Sequence, residues 1–163
     1  MKVRKATLKD LQKVKALNQE LFYYDHNKFD STMDTTWPSK NPDYYTKRIR
    51  GKNALVLVAE EEGKIIAYLI ASLIKGESWK KIKEMAELEN MMVIKEFRGH
   101  GIGTALIKEF ITWAKSKGAK RAKVVASAQN NEAVAAYRMN AFVVYRLTLE
   151  RKLCKHYYSI ADR

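Results

Sequence analysis

Arg98-Gly99-His100-Gly101-Ile102-Gly103 places three of the chain's seven glycines between a strand-like run and a helical pattern. Glycines let a backbone turn tightly and approach a ligand. The first free amides of a helix, with the positive end of its dipole, then face whatever anion sits there. The chemistry this spacing predicts is the binding of a pyrophosphate-like anion. The preceding run, Leu88 to Ile94, is apolar and bounded by charge. After Gly103 the apolar residues Ala105, Leu106, Phe110, Trp113 and Ala114 recur at helical spacing, and Gly118 supplies a stop. A P-loop needs G-x-x-x-x-G-K-[ST], a string this chain does not contain. A dinucleotide fingerprint needs a third glycine where Thr104 stands and an acidic residue further on, and no Asp or Glu lies between Phe110 and Asn131.

A third pattern, [RQ]-x-x-G-x-[GA], is matched by Arg98, Gly101 and Gly103. Downstream, Asn130, Ala133, Tyr137 and Phe142 fall in the register of N-x-x-A-x-x-x-Y followed by G-F, with Ala141 in the glycine's place, and Val93 stands five residues before Arg98. In these motifs, in this order, the chain resembles the GCN5-related (GNAT) N-acetyltransferases. The resemblance implies that the loop Arg98, Gly99, His100, Gly101, Ile102, Gly103 and Thr104 holds the pyrophosphate of acetyl-CoA. It implies that backbone amides of Met91, Met92 and Val93 polarise the thioester carbonyl, and that Asn130 contacts the pantetheine or the helix-side backbone. Helix capping is the structural alternative for Asn130. His100 occupies a variable site of the loop and is expected to be exposed.

Acyl transfer from a thioester to an amine needs a neutral amine, a polarised carbonyl and a proton for the departing thiolate. An alkyl ammonium has a pKa of about 10.4 and must lose its proton to a base or through water. Glu89 is the candidate base. It lies in Leu88-Glu89-Asn90-Met91-Met92-Val93, a stretch that resembles the corresponding strand of spermidine/spermine N-acetyltransferases. Glu87, two residues earlier on the same strand face, is the reserve, and solvated strand-end carboxylates are the plain alternative for both. Val125 stands where some ribosomal-protein Nα-acetyltransferases carry a carboxylate, so that base is absent. Tyr137 is the candidate acid, because a phenol with a pKa of about 10 stays protonated at neutral pH and can protonate a leaving thiolate. Direct transfer is implied, since Cys154 lies outside the motifs.

The elements that must position these groups follow in the order β-α-α-β-β-β-α-β-α-β. The strands are Val3–Ala6, Ala54–Glu60, Lys64–Ile74, Glu84–Ile94, Lys123–Ala126 and Phe142–Leu149, and Glu61-Glu62-Gly63 makes a hairpin turn. Thr7 to Asp10 reads as a helix start, 24 to 43 as an irregular stretch, and Asp43 to Arg50 as a short helix. The resemblance gives this order a name: an α/β (α+β) acyl-CoA N-acyltransferase fold, a mixed, mostly antiparallel sheet flanked by helices. One domain over 1–153 and a tail over 154–163 are expected. Ala141 replaces the family's usual glycine before Phe142, so Asn140 is expected to take the left-handed cap conformation. Lys95-Glu96 stands where a proline is common.

Composition bounds the partners. Thirty-one Lys and Arg against eighteen Asp and Glu give a net charge of +13. Lys115, Lys117, Lys120, Arg121 and Lys123 cluster behind the glycine-loop helix, where they read as a solvated face or as cations that steer the coenzyme's phosphates. A charge this large also keeps open a different class, a basic nucleic-acid-associated binding protein on an inactive acetyltransferase scaffold, although no recognition-helix, zinc-finger or RNA-binding signature accompanies it. A single cysteine excludes an internal disulfide, and His26, His100 and His156 lack ligand spacing, so no metal is expected. No apolar run reaches a membrane span, and a cytoplasmic protein, with a homodimer left open, is expected. The acceptor wall falls to Tyr24, Asp25, Asp30, Asp34 and Trp37, because residues 21–45 hold four acidic and two basic residues in an otherwise cationic chain. Carboxylates and aromatic faces attract a cationic amine, so a polyamine, a peptide or protein amine, or another small amine is the expected acceptor.

Overall fold

The computed structural model describes residues 1–151 and Leu153. Cys154, His156 and the tail expected over 154–163 lie outside the described residues. Five strands, β1 (Lys2–Lys5), β2 (Ala54–Glu61), β3 (Lys64–Lys75), β4 (Glu84–Val93) and β5 (Arg121–Val124), form one sheet in that spatial order. The first four are antiparallel and β5 runs parallel to β4. Glu62 and Gly63 join β2 to β3 with φ of 50° and 76°, the paired left-handed turn whose twist suits a two-residue hairpin.

Five helices complete the domain: α1 (Leu11–Lys28), α2 (Trp37–Lys40), α3 (Pro42–Arg50), α4 (Ile102–Ser116) and α5 (Asn131–Met139). The two sheet faces are both covered, which is why β2 and β3 read as continuous apolar runs. On one face Leu55, Leu57, Leu69 and Leu88 pack with Leu106, Ile107 and Phe110 of α4. On the other, Val56, Val58, Tyr68 and Ile70 pack with Val14 and Leu17 of α1 and Tyr45 of α3. The segment expected to be irregular from residue 24 is helical through Lys28, so Tyr24 and Asp25 project from a rigid helix.

The start of α1 is fastened to the sheet by charge. Arg4 grips Asp10 with two bonds of 2.8 and 2.9 Å and reaches Glu60 on β2 at 2.8 Å, while the Thr7 amide donates to Asp10 at 2.7 Å. Hydrogen bonding from Arg4 overcomes the cost of burial and holds the Asp10 carboxyl at about 2. Its folded value lies below its unfolded one, so its stabilisation is complete above about pH 4 and is lost as pH falls toward 2. Acid unfolding of an Asp10→Asn variant should therefore show a shallower dependence on pH over that interval than the wild type.

Two expectations are corrected at the C-terminal side. The strand expected over 142–149 is not formed: the backbone there is irregular and Val143, Val144, Leu147 and Leu149 are exposed. β-branched and aromatic composition favours a strand only where a neighbour supplies the ladder, and no described strand lies beside this segment. Tyr145 instead sits among cations, its ring centre 4.6 Å from Arg121 and 4.8 Å from Lys80, and the hydrogen bond from Arg121, then the charge of Lys80, pull its phenol down. The left-handed residue after α5 is Ala141, with φ of 63°, and not Asn140. The Phe142 amide bonds Tyr137 O at 3.1 Å and the Ala141 amide bonds Arg138 O at 3.0 Å, the double bond of a Schellman cap built on an alanine. Relieving that backbone with Ala141→Gly should stabilise the protein by about 1 kcal/mol, seen as a rise of about 2–4 °C in thermal midpoint.

Candidate active site

Glu89 sits at an irregularity in β4. The β3–β4 register pairs Ile70 with Asn90 and Ala71 with Leu88, leaving Glu89 as the extra residue of a β-bulge. The ladder to β5 covers only Met85 to Leu88. From Glu89 to Val93 the β4 edge that faces away from β3 therefore has no strand beside it among the described residues, and Met91, Met92 and Val93 lie on this stretch. The bulge also turns Glu89 and Asn90 toward α3 together, where the Tyr44 hydroxyl donates to Glu89 and accepts from Asn90 Nδ2 at 3.2 Å.

Glu89 is engaged from a second side. Arg48, one turn after Tyr44 on α3, donates from Nε at 3.0 Å to one carboxylate oxygen, and its second nitrogen lies 2.9 Å from the other. Burial, then the bond to Glu89, raises the Tyr44 phenol far above its ordinary range. Glu87 pairs with Lys123 at 2.9 Å. Tyr44, Arg48 and Asn90 were not legible as site residues, because α3 and β4 are more than forty positions apart and neither carries a motif for the other.

The glycine loop leads from β4 into α4. Gly99 and Gly101 have φ of 80° and 78°, conformations that L side chains rarely adopt, and a Cβ at either would meet nothing within 4 Å. The loop's outer surface is thus open backbone. The amides of Ile102, Gly103 and Thr104 open α4, where no carbonyl exists one turn back, and they find no acceptor among the described residues. Arg98 braces the loop by donating to Val93 O at 3.1 Å and lies 3.8 Å from Glu132 of α5. Unpaired amides at a helix start, the dipole of a 15-residue helix and open space in front suit a pyrophosphate. Of the lysine cluster, Lys115 lies in the last turn of α4 and Lys117 and Lys120 follow it, about 20 Å along the axis from the loop.

Tyr137 lies on α5, which is tied to the start of α4. The end of that helix is latched to the start of α4 by Asn140 Nδ2, 3.3 Å from Thr104 Oγ1, and the Tyr137 ring packs edge-on against Phe142 at 5.8 Å. Burial first, and then the charge of Asp25, push the Tyr137 phenol up to about 12, so it holds its proton throughout the physiological range. Asn130 caps α5, its side-chain oxygen accepting from the Ala133 amide at 3.0 Å.

The residues expected to meet an acceptor lie in an aromatic cluster. Trp37 stacks on Phe22 at 5.6 Å and meets Tyr44 edge-on at 5.1 Å, so a continuous aromatic path leads to Glu89. Tyr24 lies under the Arg98 guanidinium at 5.4 Å. Asp34 caps its own loop through the Thr36 amide at 2.8 Å and faces Lys40 at 3.6 Å, and Asp30 accepts from the Thr32 amide at 3.0 Å. Both are exposed, whereas Asp25 is partly buried. Among the described residues no three His, Cys, Asp or Glu side chains gather as a metal site, and no helix is long and apolar enough to cross a membrane.

A mostly antiparallel five-stranded sheet flanked by helices, its fourth strand bulged and followed by a glycine loop and a helix start, defines a mixed α/β domain. The model of the Acetyltransferase (GNAT) family matches residues 18–142, and the chain belongs to that family. An uncharacterized N-acetyltransferase of Methanocaldococcus jannaschii is 37% identical over 60 residues, which are 37% of this chain and 26% of that protein; the match spans about a quarter of the relative's length. The fold is shared with a mutant form of the BH1408 protein of Bacillus halodurans, at a TM-score of 0.85 and 22% identity over 94% of this chain and all of the other. It is shared also with the aminoglycoside 6'-N-acetyltransferase AAC(6')-Ih of Acinetobacter baumannii, at 0.72 and 22% over 94% and 99% of the two chains. The aminoglycoside N-acetyltransferase AAC(6')-Iy in complex with CoA follows at 0.72 and 17%, covering 94% and 100%.

Proposed function

We propose that this protein is an acetyl-CoA-dependent N-acetyltransferase that moves an acetyl group directly to a primary amine. The observation that carries the proposal is the run of unpaired amides at the start of α4, supported by the open edge of β4 from Glu89 to Val93 and by a half-buried Tyr137 on the helix latched to α4. Acetyl-CoA supplies the activated acyl group. The amides of Ile102, Gly103 and Thr104 and the loop backbone around Gly101 hold its pyrophosphate. The open β4 edge at Met91, Met92 and Val93 offers backbone donors to the pantetheine and to the thioester oxygen, whose developing charge a fixed amide stabilises more than water does.

Tyr137 gives its proton to the thiolate as the carbon–sulfur bond breaks. The incoming amine loses its proton to a carboxylate at the aromatic wall, for which Glu89 and Asp25 are the candidates. Asn130, Tyr24, Trp37, Asp30 and Asp34 complete the surroundings of cofactor and acceptor. The partial burial of Asp25, the aromatic path from Trp37 to Tyr44 and the likeness of the Leu88–Val93 strand to spermidine/spermine N-acetyltransferases together favour a cationic aliphatic amine, such as a polyamine or a lysine side chain, as acceptor.

A thermal-shift series with acetyl-CoA, coenzyme A, simple nucleotides and short duplex DNA tests the cofactor assignment. Ligand that binds the native state raises its melting temperature, by an amount set by concentration over Kd. Stabilisation by acetyl-CoA and coenzyme A well beyond that by nucleotides is expected. Salt-sensitive stabilisation by DNA alone contradicts the proposal.

A further inference from the structure

We propose that Asp25 is the catalytic base of this site, the carboxylate that receives a proton from the acceptor's ammonium, while Glu89 is a positioning residue. The inference rests on the acetyltransferase reading above and names the proton's destination. Among the described residues, every other carboxylate that is at least partly buried has a cation within reach: Asp10 and Glu60 share Arg4, Glu61 has the chain's amino group, Glu77 has Lys80 and Arg146, Glu87 has Lys123 and Glu89 has Arg48. Among the described residues Asp25 alone has none. A half-buried carboxylate without its own cation suits a cation that arrives with the substrate.

Its position fits the same role. Asn18, Phe22, Asp25 and Phe29 follow at steps of four, three and four and so share one face of the end of α1. Asn18 fixes where that face looks, since its Nδ2 donates to the Tyr68 hydroxyl at 2.7 Å and Tyr68 pairs with Met92 across the β3–β4 ladder. Asp25 lies two turns further, about 10 Å along the helix axis, beside Tyr24 under Arg98. Its charge acts on the phenols of both Tyr68 on β3 and Tyr137 on α5, so it lies on the side of α1 that these two share. The titratable and charged groups that face it are Tyr68 from β3, Tyr137 from α5, Asp30 from the following loop and Arg98 beyond the Tyr24 ring. Burial, helped by the charge of Asp30, raises the Asp25 carboxyl above its ordinary value and makes it a better proton acceptor near neutral pH. Glu89, by contrast, has one oxygen bonded by Tyr44 and Arg48 and the other against Arg48.

The protons balance over one turnover. Asp25 takes one from the ammonium, and the freed lone pair forms the carbon–nitrogen bond to the thioester carbonyl. The carbon–sulfur bond breaks, Tyr137 protonates the sulfur, and the amide nitrogen's excess proton restores Tyr137. Asp25 then releases its proton to water, leaving an N-acetyl amide, free thiol and one proton.

The test is the pH dependence of kcat for acetyl transfer to spermidine in the wild type, Asp25→Asn, Asp25→Glu and Glu89→Gln, with acetyl-CoA affinity measured separately by calorimetry. Expected are a wild-type rate that climbs with pH as Asp25 loses its proton, and a loss of about 10²–10⁴ in kcat with no acid limb in Asp25→Asn. Asp25→Glu should regain the limb, Glu89→Gln should keep it, and acetyl-CoA affinity should be unchanged throughout. An Asp25→Asn variant with the wild-type limb, or one altered in KM alone, overturns the proposal, as does a limb abolished by Glu89→Gln instead. Acetyl-CoA binding with no transfer to any amine by the wild type would overturn the acetyltransferase reading as well.

Discussion

Replacing Tyr137 by Phe is expected to lower kcat for acetyl transfer by about 10²–10⁴ while leaving acetyl-CoA affinity unchanged. The ring packs against Phe142 and contributes to the apolar cluster under α4, and phenylalanine preserves both contacts. Only the hydroxyl is lost, and with it the proton for the departing thiolate. Because burial and Asp25 push the phenol up to about 12, the wild type should keep its activity well above pH 9. An acid that titrated at the ordinary value would lose its proton earlier, so the position of the alkaline limb is a second readout on the same residue. Stopped-flow detection of free thiol across pH 6–11 measures both. A Tyr137→Phe enzyme with wild-type kcat would remove the acid from the mechanism.

The largest expected effect on binding lies in the glycine loop. Gly103→Val should lose about 10²–10⁴-fold in acetyl-CoA affinity if its side chain denies the anion two charge-assisted hydrogen bonds of about 1.5–3 kcal/mol each. The position suits the experiment because Gly103 is helical and a Cβ there meets only the Met91 methyl at 3.7 Å, an ordinary contact. The fold should therefore survive. Gly101→Val should lose affinity as well, with an added stability cost of about 1–2 kcal/mol, because it forces a side chain onto a backbone at φ of 78°. Calorimetric titration, checked by circular dichroism, separates the two. Wild-type affinity in a folded Gly103→Val protein would place the pyrophosphate elsewhere.

The parts of this site that were legible in the sequence are those written into a short stretch of chain. Arg98 to Gly103 announces a turn and a helix start, and Asn130, Tyr137 and Phe142 keep their register because one helix spans them. The residues that hold Glu89 were hidden for the opposite reason. Tyr44 and Arg48 reach it only because α3 packs on the sheet and because the bulge at Glu89 turns two successive β4 side chains to the same side. Phe142 to Leu149 misled because strand propensity is local while a strand's hydrogen bonds are not. Asp25 stood among four acidic residues in 21–45, and only the structure distinguishes it from Asp30 and Asp34, which are exposed and bonded within their own loops.

The most direct measurement is a product balance: acetyl-CoA is incubated with the protein and spermidine, and free coenzyme A and N-acetylated amine are quantified together by mass spectrometry. The account predicts that both appear in equal amounts, and that the protein itself carries no acetyl group when the reaction is quenched during turnover. Coenzyme A released without acetylated amine, across spermidine, lysine peptides and free amino-terminal peptides alike, would contradict direct transfer to an amine.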